Sequence, residues 1–288
     1  MMGILGAILG ATGFGTANIV IKKSLSSLTI PQTLMVSTLS GAVCLFIFSL
    51  VTRSFAVITL NTLLLSAALS VMEIALYLAL YKTFAISNVT IATAVIGVYP
   101  ILSTLFTVFV LEEPTALFKF LFIALLVVGA VLTSINWDDV RRDGLQKNDV
   151  VKGLGWIILT TALHALYMPL LGNFTSDGFW SMKLLWIKIF SSVLLFGFFF
   201  VYKREKVLPP REKMPFTSLL GLLEVIGWAG FSWATSITEG QTAILIAALN
   251  SSALVTAVLA YFFLNEKLSK LQYLGILIII AGLTGLSS

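Results

Sequence analysis

Residues 70–78 read SVMEIALYL and residues 221–229 read GLLEVIGWA. Each stretch lies near the middle of a long apolar run. Each places one glutamate there, Glu73 and Glu224, four residues ahead of an aromatic side chain, Tyr77 and Trp228. A carboxylate at bilayer depth costs roughly 2.5–3.5 kcal/mol on insertion scales, so an acid inside such a run marks a functional site by default. Two acids at matching places predict one shared site between two related halves.

Outward from these stretches the chain is apolar almost throughout. Of its 288 residues, 58% are hydrophobic and 11% charged, more apolar surface than a soluble domain could bury. The class read from this is an all-α, multi-pass integral membrane protein whose first partner is the lipid bilayer. A span needs about 20 predominantly apolar residues. Such stretches lie at 3–21, 32–51, 62–81, 88–111, 116–135, 153–171, 180–202, 216–237, 241–264 and 270–286. The first run has its lysines, Lys22 and Lys23, behind it, whereas a signal peptide carries its charge in front, so this segment is expected to stay as a span.

The longest polar interruption, NWDDVRRDGLQKNDVVK at 136–152, divides the chain into 1–135 and 153–288. Residues 91–134 align with 244–287 at one constant offset, which sets Glu113 on Glu266 and Gly129 on Gly282; Gly3 meets Gly153 at the start of spans one and six. Five spans per half force the copies into opposite orientations. The expected architecture is therefore ten transmembrane helices in two inverted-topology five-helix repeats around a central cavity.

Charge gives orientation. Fourteen of the 18 Lys and Arg residues fall on the side of the odd-numbered loops; Arg53, Lys119 and Lys183 fall on the other, and Lys188 lies inside a span. The positive-inside rule then puts the odd loops in the cytoplasm and both termini outside. A basic excess confined to loops does not read as nucleic-acid binding.

Two segments carry a family resemblance: YPILSTLFTVFVLEEPT (99–115) and LNSSALVTAVLAYFFLNEKLS (249–269). They resemble the fourth- and ninth-span pattern, ending in a glutamate, of ten-span EamA-type members of the drug/metabolite transporter superfamily. Lys188, in LWIKIF, is similar to the basic residue often found before an aromatic in the second or seventh span of that family; the first half has Ser40 there. The family's first-span Trp-Gly is Phe14-Gly15 here, and the aligned sixth-span residue is His164. The resemblance covers nearly the whole chain. It implies secondary transport of small metabolites or drugs by alternating access, in a cell (inner or plasma) membrane, and no enzymatic activity.

The polar residues within the spans are the candidate site. Residues four apart share a helix face, so Glu73, Tyr77 and Tyr81 form one stripe and Glu224, Trp228 and Phe231 another. Carboxylates beside aromatic faces suit an organic cation and are the candidates for carrying a proton in exchange. This points to proton-coupled export of cationic or amphiphilic solutes. The plainer reading is that both acids are hydrogen-bonded core groups. Lys188 reads either as their structural counter-ion or as a contact for a substrate carboxylate. The second case would fit uncoupled exchange of amino acids or other zwitterions.

His164, the one histidine, is either a hydrogen-bonded core residue or a titrating member of the path. Asn18, Asn250 and Tyr99 line the path or bond between helices. Pro100 and Pro169 are expected to bend their helices. Glu113 and Glu266, at span ends, read as helix-end or interfacial groups. No histidine–cysteine set for a metal and no phosphate-binding GKS or GKT loop occurs, so no cofactor is predicted. The lone Cys44 reads as core packing, and the sequons at Asn88, Asn173 and Asn250 lie in or beside spans.

Overall fold

The computed structural model describes residues 2–54, 58–86, 95–134, 147–264 and 269–287, and every regular element in them is helical. In chain order they are α1 (Met2–Leu25), α2 (Ile30–Thr52), α3 (Leu60–Ile86), α4 (Tyr99–Phe109), α5 (Leu117–Ser134), α6 (Lys147–Thr175), α7 (Trp180–Leu195), α8 (Met214–Ile237), α9 (Thr242–Leu249), α10 (Ser252–Leu264) and α11 (Lys270–Ser287). Asn88, Arg141, Arg142, Glu266, Lys267 and most of the 136–152 stretch lie outside the described residues.

Eight helical stretches are long and apolar enough to cross a bilayer, and two shorter apolar helices, Tyr99–Phe109 and Lys270–Leu286, accompany them. The 27 residues of α3 rise roughly 40 Å, against a hydrocarbon core of about 30 Å. Glu73 sits at the middle of that length. Large apolar side chains such as Phe46, Leu64, Phe109 and Phe262 point outward, a surface that lipid tails solvate.

Local chemistry sets the helix ends. Thr29 and Gln32 form a reciprocal capping box at the start of α2, with Pro31 in the first turn, where its missing N–H is no loss. Ser269 and Gln272 make the same exchange ahead of α11. The α6–α7 turn needs the left-handed backbone at Gly178, φ +89°. There the Lys183 ammonium closes the loop, donating to the Phe174 carbonyl and pairing with Asp177 at 2.6 Å.

Two of the expected spans are not single helices. In the ninth, α9 and α10 are separated at Asn250–Ser251; in the fourth, the chain turns at Gly97–Val98 before α4 begins. Pro100 therefore does not bend a helix interior. It occupies the first turn of α4, whereas Pro169 does lie inside α6. The seventh span ends in a π-helical turn, Phe196–Tyr202.

Packing neighbours run α1–α8–α2–α7–α3–α6–α4–α9, with α9 and α10 returning to α1; α5 and α11 pair outside this ring. Small residues bring α1 and α8 together. A Cβ on Gly10 would stand 2.8 Å from the Gly227 carbonyl, and one on Gly230 would stand 2.5 Å from the Gly10 amide. Backbones this close need glycine on both sides. All eight residues of α9 are buried.

Candidate functional site

The middle of the ring, where α3, α7 and α8 face one another, holds a buried polar cluster. Burying a charge is costly unless it is paired and hydrogen-bonded, and Glu73 is both. Its Oε1 lies 2.7 Å from the Lys188 ammonium, and its Oε2 accepts from the Ser191 hydroxyl at 2.7 Å. The side chains of Glu73 and Lys188 are 2% and 1% exposed, so this pair is shielded from solvent on all sides.

The aromatic side chains cross between helices. The Lys188 ammonium lies 5.3 Å from the centroid of the Tyr77 ring, within cation–π range. The Trp228 indole N–H donates to the Tyr77 hydroxyl at 2.9 Å, and the Tyr81 hydroxyl donates to Glu224 Oε1 at 3.1 Å. Each stripe thus binds the other: α3 supplies the tyrosine to the α8 glutamate, and α8 supplies the tryptophan to the α3 tyrosine. Phe14 of α1 and Tyr167 of α6 pack edge-on against Trp228 at 4.8 and 5.3 Å.

Six of the ten candidate residues therefore meet: Glu73, Tyr77, Tyr81, Lys188, Glu224 and Trp228. The other four are arranged around the helix breaks. His164 packs on Tyr99 at 5.2 Å, and its Nδ1 contacts the Thr160 carbonyl of its own helix at 2.9 Å. Asn18 reaches Thr256 Oγ1 at 3.4 Å. Asn250 donates to the Gly97 carbonyl at 2.9 Å, joining the two breaks to each other.

Sequence reasoning missed Ser191 and Tyr167. Ser191 follows Lys188 by one helical turn, and that spacing was the signal available. Tyr167 is brought in only by the packing of α6 on α8. Its hydroxyl is buried with no hydrogen-bond partner among the described residues.

Glu113, just beyond α4, reaches across to the start of α9, where its Oε1 accepts from the Ala243 amide at 3.4 Å. A carboxylate at a helix N-terminus is favoured by the unpaired amides there. Burial pushes this carboxyl above its ordinary value, and hydrogen bonds from Thr242 and Ala243 oppose the rise. Among the described residues no group of histidine, cysteine, aspartate and glutamate could hold a metal ion.

Comparison with known proteins bears on the fold and the family. No curated protein matches the chain. A solved structure described only as "Crystal structure of protein" superposes with a TM-score of 0.75 over 99% of this chain and 96% of that one. At 12% identity that likeness is one of fold alone. The sequence profile of the EamA-like transporter family matches residues 1–135 and again 151–288. Two matches that together span nearly all of an all-helical, membrane-crossing chain establish that it belongs to the EamA-like transporter family, whose members carry small solutes across membranes.

Proposed function

We propose that this chain exports small cationic or amphiphilic solutes in exchange for protons, by alternating access between two inverted five-helix repeats, residues 1–135 and 153–288. The buried cluster of Glu73, Lys188, Tyr77, Tyr81, Trp228 and Glu224 carries the reading. It places two carboxylates among aromatic rings at mid-helix depth, where a cation or a proton would be held. Lys188 is engaged by Glu73, which favours a cationic solute over a zwitterion whose carboxylate would need that ammonium.

Several details support the repeats. Val98 donates to Val95 and Ile101 to Val98; shifted by 153 positions, Ser251 donates to Ala248 and Leu254 to Ser251. Ser103 bonds the Ala165 carbonyl, and Thr256 bonds the Gly15 carbonyl, its counterpart when spans one and six are exchanged. The packing order of the ring reads the same when each half is swapped for the other. Positioned helix breaks are where transporters place their pathways, and here Asn250 and Gly97 tie the two breaks together.

The test is flux in proteoliposomes. An imposed proton gradient drives uptake of a panel of organic amines by the wild type, and the Glu73→Gln/Glu224→Gln variant loses both the flux and its pH dependence. Undiminished, still pH-dependent flux in that variant would remove the glutamates from the mechanism. Flux of the same size without a gradient would make the protein an uncoupled facilitator.

A further inference from the structure

The buried cluster brings together two carboxyls, Glu73 and Glu224, and one ammonium, Lys188. With both acids ionised it would keep one net negative charge, among side chains that are all buried. A charge left unbalanced at such depth is strongly unfavourable, so the cluster takes up one further positive charge. Packing limits how large that charge can be. Gly221, one turn before Glu224, lies against α2, where a Cβ would collide with the Ser40 side chain and the Ser37 carbonyl. The α2–α8 contact leaves no room for a solute cation, and a proton needs none.

Hydrogen-bond donors tell which acid carries that proton. Glu73 receives two of them, the Lys188 ammonium on Oε1 and the Ser191 hydroxyl on Oε2, each at 2.7 Å. Both of its oxygens accept, as those of an ionised carboxylate do. Glu224 receives the Tyr81 hydroxyl on Oε1 at 3.1 Å. Its other hydrogen-bonding neighbour is the Ser37 hydroxyl of α2. Ser37 has a single hydrogen, and that hydrogen is directed to the Leu34 carbonyl at 3.2 Å. The Ser37 oxygen therefore meets Glu224 as an acceptor, and such a contact holds when Glu224 supplies the hydrogen.

The surrounding charges fit this division. Lys188 of α7 and Glu73, Tyr77 and Tyr81 of α3 act on Glu224. The Lys188 charge reaches Glu224 across the cluster, but Glu73 already neutralises it in direct contact. On α6, Tyr167 acts on Glu73, and His164 is engaged with Tyr99 and the Thr160 carbonyl. Lys183, one turn before Ile187 on α7, is paired with Asp177 at the loop. Among the described residues α1 and α9 present no titratable side chain to Glu224; α2 presents the Ser37 hydroxyl.

We propose that Glu224 alone carries the exchanged proton, one per cycle, and that Glu73 stays ionised as the permanent counter-ion of Lys188. The inference rests on the proton-exchange reading above and narrows it from two carboxyls to one. The exchange is electroneutral for a monovalent cation. The Glu224 O–H bond breaks, the proton passes to water on the side to which the site opens, and the carboxylate left behind balances the single positive charge of the solute. Glu73 is a positioning residue in this scheme: by holding the ammonium, it keeps Lys188 from taking Glu224 as its partner.

The test is infrared difference spectroscopy on the full-length protein in detergent, read at the C=O stretch of a protonated carboxyl. At neutral pH the wild type shows a buried-acid band that Glu224→Gln abolishes. Glu73→Gln/Lys188→Met removes the neutral pair and retains the band. Glu73→Gln alone loses it, because Glu224 is then the one carboxylate left to balance Lys188. Tyr81→Phe takes away the hydrogen bond to the Glu224 carbonyl oxygen and moves the band to higher frequency, whereas Ser191→Ala, beside Glu73, leaves it in place. That last comparison serves if Glu224→Gln does not fold. A spectrum unchanged by Glu224→Gln, a double variant without the band, or a band that responds to Ser191→Ala and not to Tyr81→Phe overturns the assignment. Wild-type protein that carries organic amines against a proton gradient in proteoliposomes but shows no such band sinks this inference and leaves the transport reading standing. Protein that shows the band but carries no solute sinks the transport reading, and the exchange with it.

Discussion

Lys188 sets the chemistry at the residue scale. Removing it strands Glu73 as a buried charge, and breaking one side of such a pair costs about 3–5 kcal/mol. Lys188→Met therefore lowers stability by about that amount, while Glu73→Gln/Lys188→Met, which leaves no charge behind, recovers most of the loss. Reversible denaturation in mixed micelles measures both, and a double variant no more stable than the single would show that the pair is not the source. The charges themselves were legible, because a charged letter in an apolar run stands out against its neighbours. What the letters did not show is that Lys188 meets Glu73 rather than Glu224. That choice depends on α7 lying against α3, a contact between residues 115 positions apart. Ser191 and Tyr167 were missed for the same reason. A hydroxyl in a span carries no local mark of which helix it will face.

At the element scale, the apolar runs located the helices well and their interruptions poorly. The run 241–264 is continuous in hydropathy, yet α9 ends at Leu249 and α10 starts at Ser252. The turns at Gly97 and Asn250 are held by i to i+3 backbone bonds and by the Asn250–Gly97 bond between them. Such local geometry leaves the hydrophobic count unchanged. Gly6 and Gly10, one turn apart on α1, meet Gly230 and Gly227 on α8 at close range. This contact yields a sharp comparison. A Cβ on Gly227 would stand 2.6 Å from the Phe14 ring, whereas nothing lies within 4 Å of one on Gly155. Gly227→Ala destabilises by about 1–3 kcal/mol through overpacking. Gly155→Ala, on an open helix face, stabilises by roughly 0.5–1 kcal/mol through propensity. Thermal unfolding of the two variants side by side checks the pair; equal shifts would mean that α1 and α8 do not approach as closely as described.

For the whole molecule, orientation follows from charge and parity together. If the chain crosses ten times, as the sequence leads one to expect, both termini share a face and fourteen of the 18 basic residues belong to the opposite one. If the odd loops are cytoplasmic, the α8–α9 turn, with exposed Glu239, faces outward, and the segment after the π-helical turn, with exposed Glu205, faces inward. The basic residues Lys203, Arg204, Lys206, Arg211 and Lys213 make that inner loop the strongest determinant in the chain. On a Cys44→Ser background, which removes the one native thiol, a membrane-impermeant maleimide applied to intact cells labels Glu239→Cys and spares Glu205→Cys until the cells are opened. The reverse pattern would invert the whole assignment. Labelling of both from outside would break the parity on which the inverted repeat depends, because these positions are separated by one crossing, α8, and must lie on opposite faces.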